Sequence, residues 1–536
     1  MKVLDLPQRI VNQKNWTPKV LMTSNVTMNY MLCYTKFRVS SFPLPLLICL
    51  LLCGTVVAEE TRPNILYIFT DDQSVRTVGC YPQSFDWVKT PNIDRLASQG
   101  VRFDRAYMGA WCLPSRLTAL TGKHAFAAES MRMVGKYPGC EYDPEQLPFW
   151  PKVFRENGYT TAQIGKWHTG TDTGYGRDWD FQLVWNRPGN NRNCWNYYFD
   201  QEIEVNGAPP IMIPGYSTDN YTTWAEDFIT RNAPEAGNQP WYLWLCYSAT
   251  HADYEPAHRH RSEYEDVEVP VPADIFPPRP GKPDYMQDYI YWKEGDSGEP
   301  IRANASSSQP PKPGMYGNTL TDWVRQYHQT VLALDEAVGR LMKVLEETGQ
   351  RENTLVVFAS DQGIAFGQHG FQMKLAPYDA NILAPLIISM PSRYGSGDVV
   401  KTAVSGADLI PTFFKMAKIE LPWEMHGHDL SPLLENAQYD WDHPAMVCST
   451  PRKWGSELQP LPTDRKTLLD GTGSIPWYVS ISEGDRYKYV RSMIPGDMEQ
   501  LYDTKSDPEE LTNLSLKSEY QDLLKSMRKT TVNELA

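Results

Sequence analysis

Residues 65–72 read Ile-Leu-Tyr-Ile-Phe-Thr-Asp-Asp, an apolar run that ends in two adjacent carboxylates. A short apolar run bounded by polar residues is typical of a strand buried on both faces of a sheet. Four similar runs follow, at residues 160–164, 241–246, 355–359 and 386–389. Helical stretches separate these runs, so the sequence predicts an α/β fold with a large mixed, mainly parallel sheet flanked by helices.

The predicted helices have recognisable ends. Pro91 fits the first helical position, with Thr90 as the N-cap and Gly100 just beyond the end. A longer helix is predicted over residues 321–348, because apolar side chains recur there on one face at helical spacing. These side chains are Val324, Val331, Leu334, Val338, Leu341 and Leu345. Such a face is long enough to cover a sheet.

Composition divides the chain after the first 58 residues into two predicted parts. Residues 59–434 contain the predicted sheet, with an irregular insertion over 255–317 that is rich in Pro, Ser and charge. Residues 435–536 are predicted to form a small C-terminal α+β subdomain. Its antiparallel strands are expected at 478–482 and 487–491, and its helix at 515–529.

Residues 1–58 are interpreted as a leader. Two basic residues precede an apolar run over 42–53, and residues 56–58 offer a small-residue cleavage site. We expect an exported protein: periplasmic or secreted, or lysosomal or extracellular in a eukaryote. The run is short for a membrane span, so integration into a membrane is not expected. Residues before about 31 lack periodicity, and Met28 or Met31 is an alternative start.

The charge of the chain excludes one class of partner. Its 536 residues carry a formal net charge of -14, and the sequence pI is about 5.3. The average field therefore repels a nucleic-acid backbone, and we expect no nucleic-acid partner. An anionic ligand would need a strongly positive local site.

Polar clusters follow four of the five predicted strands. They are Asp71 and Asp72 after the first strand, Lys166 and His168 after the second, His251 after the third, and Asp361 and Gln362 after the fourth. Ligands of open α/β sheets bind beyond the carboxyl ends of the strands. We therefore expect these side chains to line one site.

Four of these residues offer oxygen ligands, which suit a hard dication such as calcium or magnesium. They are Asp71, Asp72, Asp361 and Gln362. Two adjacent carboxylates would repel each other in a water-poor cleft unless a cation neutralised them. The pair itself therefore favours a metal site.

The string Cys112-Leu113-Pro114-Ser115-Arg116 precedes an apolar stretch that ends at Gly122. Pro114 fits the first turn of a helix, which places Cys112 at the helix N-terminus, where backbone N–H groups favour anions. Arg116, four residues on from Cys112, falls on the same helical face. This string predicts an anion site beside a cysteine.

The same string resembles the signature of the formylglycine sulfatases, in the alkaline-phosphatase-like superfamily, where this cysteine is converted to formylglycine. Other segments resemble the family in the family's order, so the resemblance spans nearly all of the chain after residue 58. These segments are 62–72, 90–107, 165–168, 360–363, 369–374 and 503–514. The resemblance implies a sulfuric ester hydrolase with one calcium ion, matured by a formylglycine-generating enzyme.

The resemblance also implies a role for each site residue. The calcium ligands would be Asp71, Asp72, Asp361, Gln362 and the modified Cys112. The residues around the sulfate would be Cys112, Arg116, Lys166, His168, His251 and Lys374. Two positions depart from the family: Gln362 stands where Asn or His is usual, and His251 has rivals in His258 and His260.

A mechanism follows as a hypothesis from these roles. One hydroxyl of the hydrated formylglycine attacks sulfur, and Asp361 takes its proton. His251, helped by Lys374, protonates the departing alcohol. His168 then removes a proton from the second hydroxyl, which expels sulfate and restores the aldehyde.

The substrate is expected to be a sulfated small molecule or glycan, with a carbohydrate favoured. Trp179, Trp185, Trp195 and Trp224 are predicted in loops, where they would suit stacking on sugar rings. Two alternatives stay open: a phosphate or phosphonate monoester hydrolase of the same superfamily, and a non-catalytic protein that binds sulfated glycans.

Overall fold

The first described strand, β1 (Asn64–Thr70), is completely buried and lies inside a ten-stranded sheet. The computed structural model describes residues 62–189, 192–234, 239–305, 316–469 and 475–536. The predicted leader, residues 1–58, lies outside the described residues. Within the described ranges, no helix has the length and apolar character needed to cross a membrane.

The strands account for a large sheet, a four-stranded sheet and two hairpins. After β1 they are β2 (Val101–Tyr107), β3 (Met131–Met133), β4 (Cys140–Tyr142), β5 (Thr160–Trp167), β6 (Phe181–Asn186), β7 (Phe199–Val205), β8 (Ile211–Tyr216), β9 (Trp241–Cys246), β10 (Trp292–Glu294), β11 (Pro300–Arg302), β12 (Thr354–Ser360), β13 (Leu383–Ser389), β14 (Asp398–Ser405), β15 (Ala445–Ser449), β16 (Tyr478–Glu483), β17 (Tyr487–Ser492) and β18 (Gln500–Asp503). The large sheet has the order β14-β2-β13-β12-β1-β9-β5-β6-β7-β8.

All five predicted strands belong to this large sheet, as β1, β5, β9, β12 and β13. The neighbours β12, β1, β9, β5 and β6 run parallel, whereas β13 is antiparallel to both β12 and β2. The predicted α/β fold with a mixed, mainly parallel sheet is therefore confirmed. Sequence reasoning missed β2 and β14, which carry charged residues, and β6, β7 and β8 at the other edge.

Helices cover the sheet and lead into the loops at its ends. They are α1 (Pro91–Ser98), α2 (Cys112–Thr121), α3 (Pro151–Glu156), α4 (Ser217–Arg231), α5 (Asp284–Asp288), α6 (Leu320–Glu347), α7 (Asp379–Ile382), α8 (Leu409–Ala417), α9 (Ser431–Glu435), α10 (Arg465–Leu469) and α11 (Gln521–Leu535). The long predicted helix is α6, which begins with a reciprocal cap between Thr319 and Asp322. Its six predicted apolar residues are all buried.

Helix α1 begins at Pro91 with Thr90 as its N-cap residue, as predicted, but the Thr90 side chain does not supply the cap. The Thr90 hydroxyl makes no cap hydrogen bond and instead accepts from the backbone of Gly79 at 2.7 Å. Asp335 on α6 accepts from the backbone N–H groups of Asn92 and Ile93, each at 2.9 Å. A carboxylate from another helix therefore satisfies the free donors of this helix start.

The C-terminal region contains the predicted antiparallel strands as β16 and β17, within a four-stranded sheet β15-β16-β17-β18. Helix α11 packs against it through Leu524 and Met527. The insertion at 255–317 contains only α5 and the β10-β11 hairpin as regular elements beyond single turns, in the part of it that is described. The boundary between residues 434 and 435 stays a prediction.

Candidate active site

The predicted polar residues meet where the parallel strands end. The Asp71 N–H, after β1, donates to the Ala249 carbonyl that follows β9, at 3.0 Å. The Asp361 N–H, after β12, donates to the Thr70 carbonyl at the end of β1, at 3.1 Å. Because these strands are parallel and adjacent, their carboxyl ends share one edge and their next residues converge.

Three carboxylates form the centre of the site. Oxygens of Asp71, Asp72 and Asp361 lie within 4.8 Å of one another, and all three side chains are buried. Burial and the charge of Asp71 raise the pKa of Asp361 to about 7. Oδ2 of Asp361 accepts no hydrogen bond from the described residues and lies 3.5 Å from the Arg116 guanidinium. A buried oxygen set with a free acceptor fits a hard cation such as calcium.

Gln362 lies beside this cluster, with its amide nitrogen toward Asp72 and its amide oxygen toward Ser115. The nitrogen donates to Asp72 Oδ1, and the oxygen accepts from the Ser115 hydroxyl at 3.3 Å. Turning the amide over would exchange the two atoms and present an oxygen to the carboxylate cluster. Gln362 is therefore placed to be a ligand in its second amide orientation.

Cys112 is the first residue of α2 and is completely buried. Its Sγ lies 3.5 Å from Asp71 Oδ1 and 2.9 Å from Lys374 Nζ. Burial, with a further contribution from Asp71, raises the pKa of the thiol to about 11. Since the thiolate is the reactive form of cysteine, an unmodified Cys112 is a poor nucleophile at neutral pH.

Two buried cations, Arg116 and Lys166, and the partly buried Lys374 balance the carboxylates. Arg116 Nη2 lies 2.9 Å from Asp71 Oδ2, and Lys166 donates to the same oxygen. Lys374 Nζ donates to both oxygens of Asp72, at 2.6 and 2.8 Å. Burial alone would lower the pKa of Lys374, but Asp72 and its anionic neighbours hold that pKa well above its ordinary value. Lys374 is therefore positively charged beside Cys112.

Replacing Arg116 tests how much a cation of this cluster contributes to the free energy of unfolding. Arg116→Ala is expected to lower the free energy of unfolding by about 3–5 kcal/mol, because it leaves buried carboxylate charge uncompensated. The measurement is urea denaturation in the presence of a calcium chelator. The comparison is Arg259→Ala, which breaks an ion pair with Asp219 that is more than a third exposed on both sides and should cost at most about 1 kcal/mol. Equal losses in the two variants would contradict the prediction.

Of the three candidate histidines after β9, the structure brings His251 to the site. Its Nε2 lies 3.7 Å from Asp72 Oδ2, and its ring stacks on Tyr197 with centroids 4.0 Å apart. The rival His260 faces Glu336 at 3.1 Å, and His258 packs near Phe199. Burial, followed by the charge of Lys374, lowers the pKa of His251 well below its ordinary value, so this ring is neutral.

His168 has a partner that sequence reasoning missed. Its Nε2 lies 3.0 Å from Nη1 of Arg187, the residue directly after β6. Arginine can only donate, so Nε2 accepts and the ring proton of the neutral imidazole sits on Nδ1. Arg187 obeys the same strand-end rule as the predicted residues, and recognition of the apolar residues in Phe181–Asn186 as a strand would have found it.

Three of the four tryptophans expected in loops are buried. Trp179 and Trp185 have no exposed surface, and Trp224 lies on α4 with only 9% exposed. The loop placement is wrong for Trp185, which belongs to β6, and for Trp224, which belongs to α4. Trp179 lies in the connection between β5 and β6, as predicted, but it is buried there. Trp195 is 56% exposed and is the one of the four available to a ligand.

A buried cysteine at a helix start faces carboxylates at the carboxyl ends of parallel strands, where α/β enzymes bind their ligands. The model of the sulfatase family matches residues 63–419. The chain belongs to the sulfatase family, and the protein is a sulfuric ester hydrolase.

Curated relatives cover most of the chain. An N-acetylglucosamine-6-O-sulfatase of Bacteroides thetaiotaomicron is 28% identical over 532 residues, which is 90% of this chain and 88% of that protein. The human iduronate 2-sulfatase is 27% identical and covers 65% of this chain and 64% of its own length. Both relatives are sulfatases, so the phosphonate alternative is not favoured.

Solved structures share the fold. The structure of BT4656 in complex with its substrate D-glucosamine-2-N,6-O-disulfate superposes with a TM-score of 0.70 at 26% identity, covering 88% of this chain and 98% of that chain. A phosphonate monoester hydrolase of Agrobacterium radiobacter has a TM-score of 0.63 at 20% identity, covering 88% of this chain and 95% of that chain. The second similarity is one of fold alone.

Proposed function

We propose that the protein hydrolyses a sulfate ester on a carbohydrate, using a nucleophile made from Cys112 by oxidation to formylglycine at a site that binds one calcium ion. One observation carries this proposal: the Cys112 side chain is buried between Asp71 and the cation Lys374, at the start of a helix. The thiol itself is held protonated in this position. A different functional group at residue 112 is therefore needed for nucleophilic catalysis.

The metal would be held by Asp71, Asp72 and Asp361, with Gln362 as a further ligand. When bound, calcium would supply positive charge beside residue 112 and the sulfate. The protein's own contribution is to fix the three carboxylates: the Asp72 N–H donates to Asp361 Oδ1 at 2.9 Å. Thr250 and Tyr327 bind the backbone around Asp72 and hold its turn in place.

The residues around Cys112 are arranged to hold an anion. A hydrated formylglycine would supply one hydroxyl to attack sulfur and a second whose deprotonation expels sulfate. Arg116, Lys166 and Lys374 place three positive charges beside this position, where they stabilise sulfuryl oxygens as negative charge develops. Arg116 and Lys166 do so without exposure to water, which strengthens the interaction, whereas Lys374 is partly exposed.

The departing alcohol needs a proton, and the two candidate donors are His251 and Lys374. Nδ1 of His251 lies 2.8 Å from the Ala252 carbonyl, so it donates there, and Nε2 faces the Tyr197 hydroxyl at 3.3 Å. Because its lowered pKa keeps His251 neutral, the single ring proton is on Nδ1 and Nε2 has none. Lys374 is protonated, so we assign the proton donation to the departing alcohol to Lys374. The attacking hydroxyl gives its proton to Asp361, and His251 stays neutral beside them.

His168 is the proposed base for the second step, and its hydrogen bonds set a condition on that role. While Nε2 accepts from Arg187, the neutral ring has no free lone pair. Proton removal by His168 therefore requires that this hydrogen bond break or that the ring change tautomer. The hydrogen bond between Arg187 and His168 must therefore change before His168 can act as the base.

A carbohydrate substrate is supported by the relatives and by one exposed ring. The relatives named above act on N-acetylglucosamine 6-O-sulfate and iduronate 2-sulfate groups by name. Trp195 is exposed and lies over Arg187, 4.7 Å from its ring centroid to the guanidinium carbon. An exposed indole suits the apolar face of a sugar ring.

Mass spectrometry of the peptide that contains Cys112 tests the nucleophile. In protein made by the native host we expect residue 112 to have the mass of an aldehyde, and Cys448, in β15, to stay a thiol. A thiol at residue 112 in that protein, with no turnover of sulfate esters, would favour the non-catalytic binding protein instead. Comparing sulfate with phosphonate esters as substrates separates the remaining alternative.

Maturation and export complete the proposal. Oxidation of a cysteine inside this buried site needs access by a formylglycine-generating enzyme before folding ends, since the Cys112 side chain has no exposed surface in the folded chain. Export through the predicted leader would follow that step or accompany it.

A further inference from the structure

Two hydrogen-bond donors in contacting residues lack an acceptor. Nη2 of Arg187 and Nδ1 of His168 are both buried, and neither has a partner among the described residues. The contact at 3.0 Å between Arg187 Nη1 and His168 Nε2 joins the two side chains. A buried donor without an acceptor is costly, so a pair of them side by side indicates a missing acceptor.

Arg187 also lacks a carboxylate partner within the described part of the chain. It is 1% exposed, and its described hydrogen bonds go to the Tyr137 hydroxyl at 2.7 Å, the Cys194 carbonyl at 3.1 Å and His168. Three aromatic rings surround the guanidinium, those of Tyr137, Trp195 and Tyr197. A buried charge is normally paired, and neutral rings and carbonyls pair this one only partly.

The position of Arg187 links the catalytic site to its rim. His168 directly follows β5, the strand that carries Lys166. The backbone N–H of Arg187 donates to the backbone carbonyl of Trp167, in the same strand, at 3.1 Å. The guanidinium also lies 4.7 Å from the ring centroid of Trp195, which is exposed. Arg187 therefore contacts both His168, in the proposed sulfate pocket, and a residue at the surface.

We propose that Arg187 binds a sulfate oxygen of the substrate through Nη2, together with the Nδ1–H of His168. Arg187 thus joins Arg116, Lys166 and Lys374 as a fourth cation for the substrate anion, and it is a determinant of specificity. A sulfate oxygen supplies the acceptor that both donors lack, and a guanidinium binds such oxygens strongly. This inference rests on the proposed sulfate-ester function.

Titration calorimetry with inorganic sulfate tests the proposal without turnover. Arg187→Gln is expected to weaken sulfate binding about 10- to 100-fold, because one charge-assisted hydrogen bond is lost. Arg187→Lys, which keeps the charge but loses the planar fork, should lie between wild type and Arg187→Gln. The protein is the full calcium-loaded chain, with its fold checked by circular dichroism.

The matched control is Arg62→Gln. Arg62 also lies over a tyrosine ring, that of Tyr159 at 5.3 Å, but it precedes β1 at the opposite end of the strands. Sulfate affinity of this control should equal that of wild type. An Arg187→Gln affinity within about twofold of wild type, or no saturable sulfate binding by wild type, would overturn the proposal. If Arg187→Gln does not fold, the affinity of Arg187→Lys decides in the same way.

Kinetics then locate the sulfate oxygen. An aryl sulfate carries only the sulfate that is cleaved, whereas D-glucosamine-2-N,6-O-disulfate carries a second one. A rise in KM on both substrates places Arg187 at the cleaved sulfate, and a rise confined to the disulfate places it at the second. Failure of the proposed function would show separately, as an unmodified thiol at Cys112 in a protein that still binds sulfate through Arg187.

Discussion

Replacing Cys112 by alanine is expected to lower kcat for an aryl sulfate by a factor on the order of 10⁵ or more, with the fold intact. An alanine side chain has no group that can form a covalent intermediate. Cys112 is the first residue of α2, and its side chain is the proposed source of the nucleophile. The measurement is steady-state hydrolysis, with thermal unfolding as the test of folding. Loss of one buried Sγ removes a small volume, so the unfolding temperature should fall by only a few degrees.

The control for this variant is Cys448→Ala in β15, outside the site. Its kcat should stay within about twofold of wild type, because it removes a thiol of similar size without touching the carboxylate cluster. Substantial turnover by folded Cys112→Ala protein would contradict the assignment of the nucleophile. Loss of activity in both variants would indicate a general effect of cysteine removal instead.

Asp361→Asn is expected to weaken calcium binding on the order of 100-fold, because a ligand charge is removed from the metal site. Activity should fall with it at limiting calcium. Within the carboxylate cluster, Asp361 Oδ2 is a buried oxygen that accepts no hydrogen bond from the described residues. A bound cation would give this oxygen the partner that it lacks. In wild type, calcium at 100 times its Kd should stabilise the fold by about 2.7 kcal/mol. Thermal unfolding with and without calcium measures this stabilisation.

Asp335→Asn is the matched control for the calcium experiment. Asp335 is also a buried aspartate, but its carboxylate caps α1 rather than facing the cluster. This variant should lose some stability and keep the full calcium-dependent rise in unfolding temperature. A calcium response in Asp361→Asn as large as that of wild type would show that Asp361 is not a ligand.

Local patterns in the sequence were sufficient for much of the fold. The run at 65–69 and its four counterparts are short, mainly apolar and bounded by polar residues, which is typical of strands buried on both faces of a covered sheet, and all five are strands of the large sheet. The position of Cys112 at a helix start followed from Pro114, whose fixed φ suits the first turn. The strand-end rule then brought Asp71 and Asp361 together, since parallel neighbours end at one edge.

The amino-acid sequence by itself determined the buried strands, the carboxylates that directly follow two of them and the helix start at Cys112, because each depends on residues that are neighbours along the chain. Only the tertiary structure decided that His251 rather than His260 faces Asp72, that Trp195 alone of four tryptophans is exposed, and that Arg187 lies buried against His168. Burial and pairing of a side chain depend on residues far away in sequence, as the 54-residue separation of Tyr197 and His251 illustrates. No local pattern carries that information.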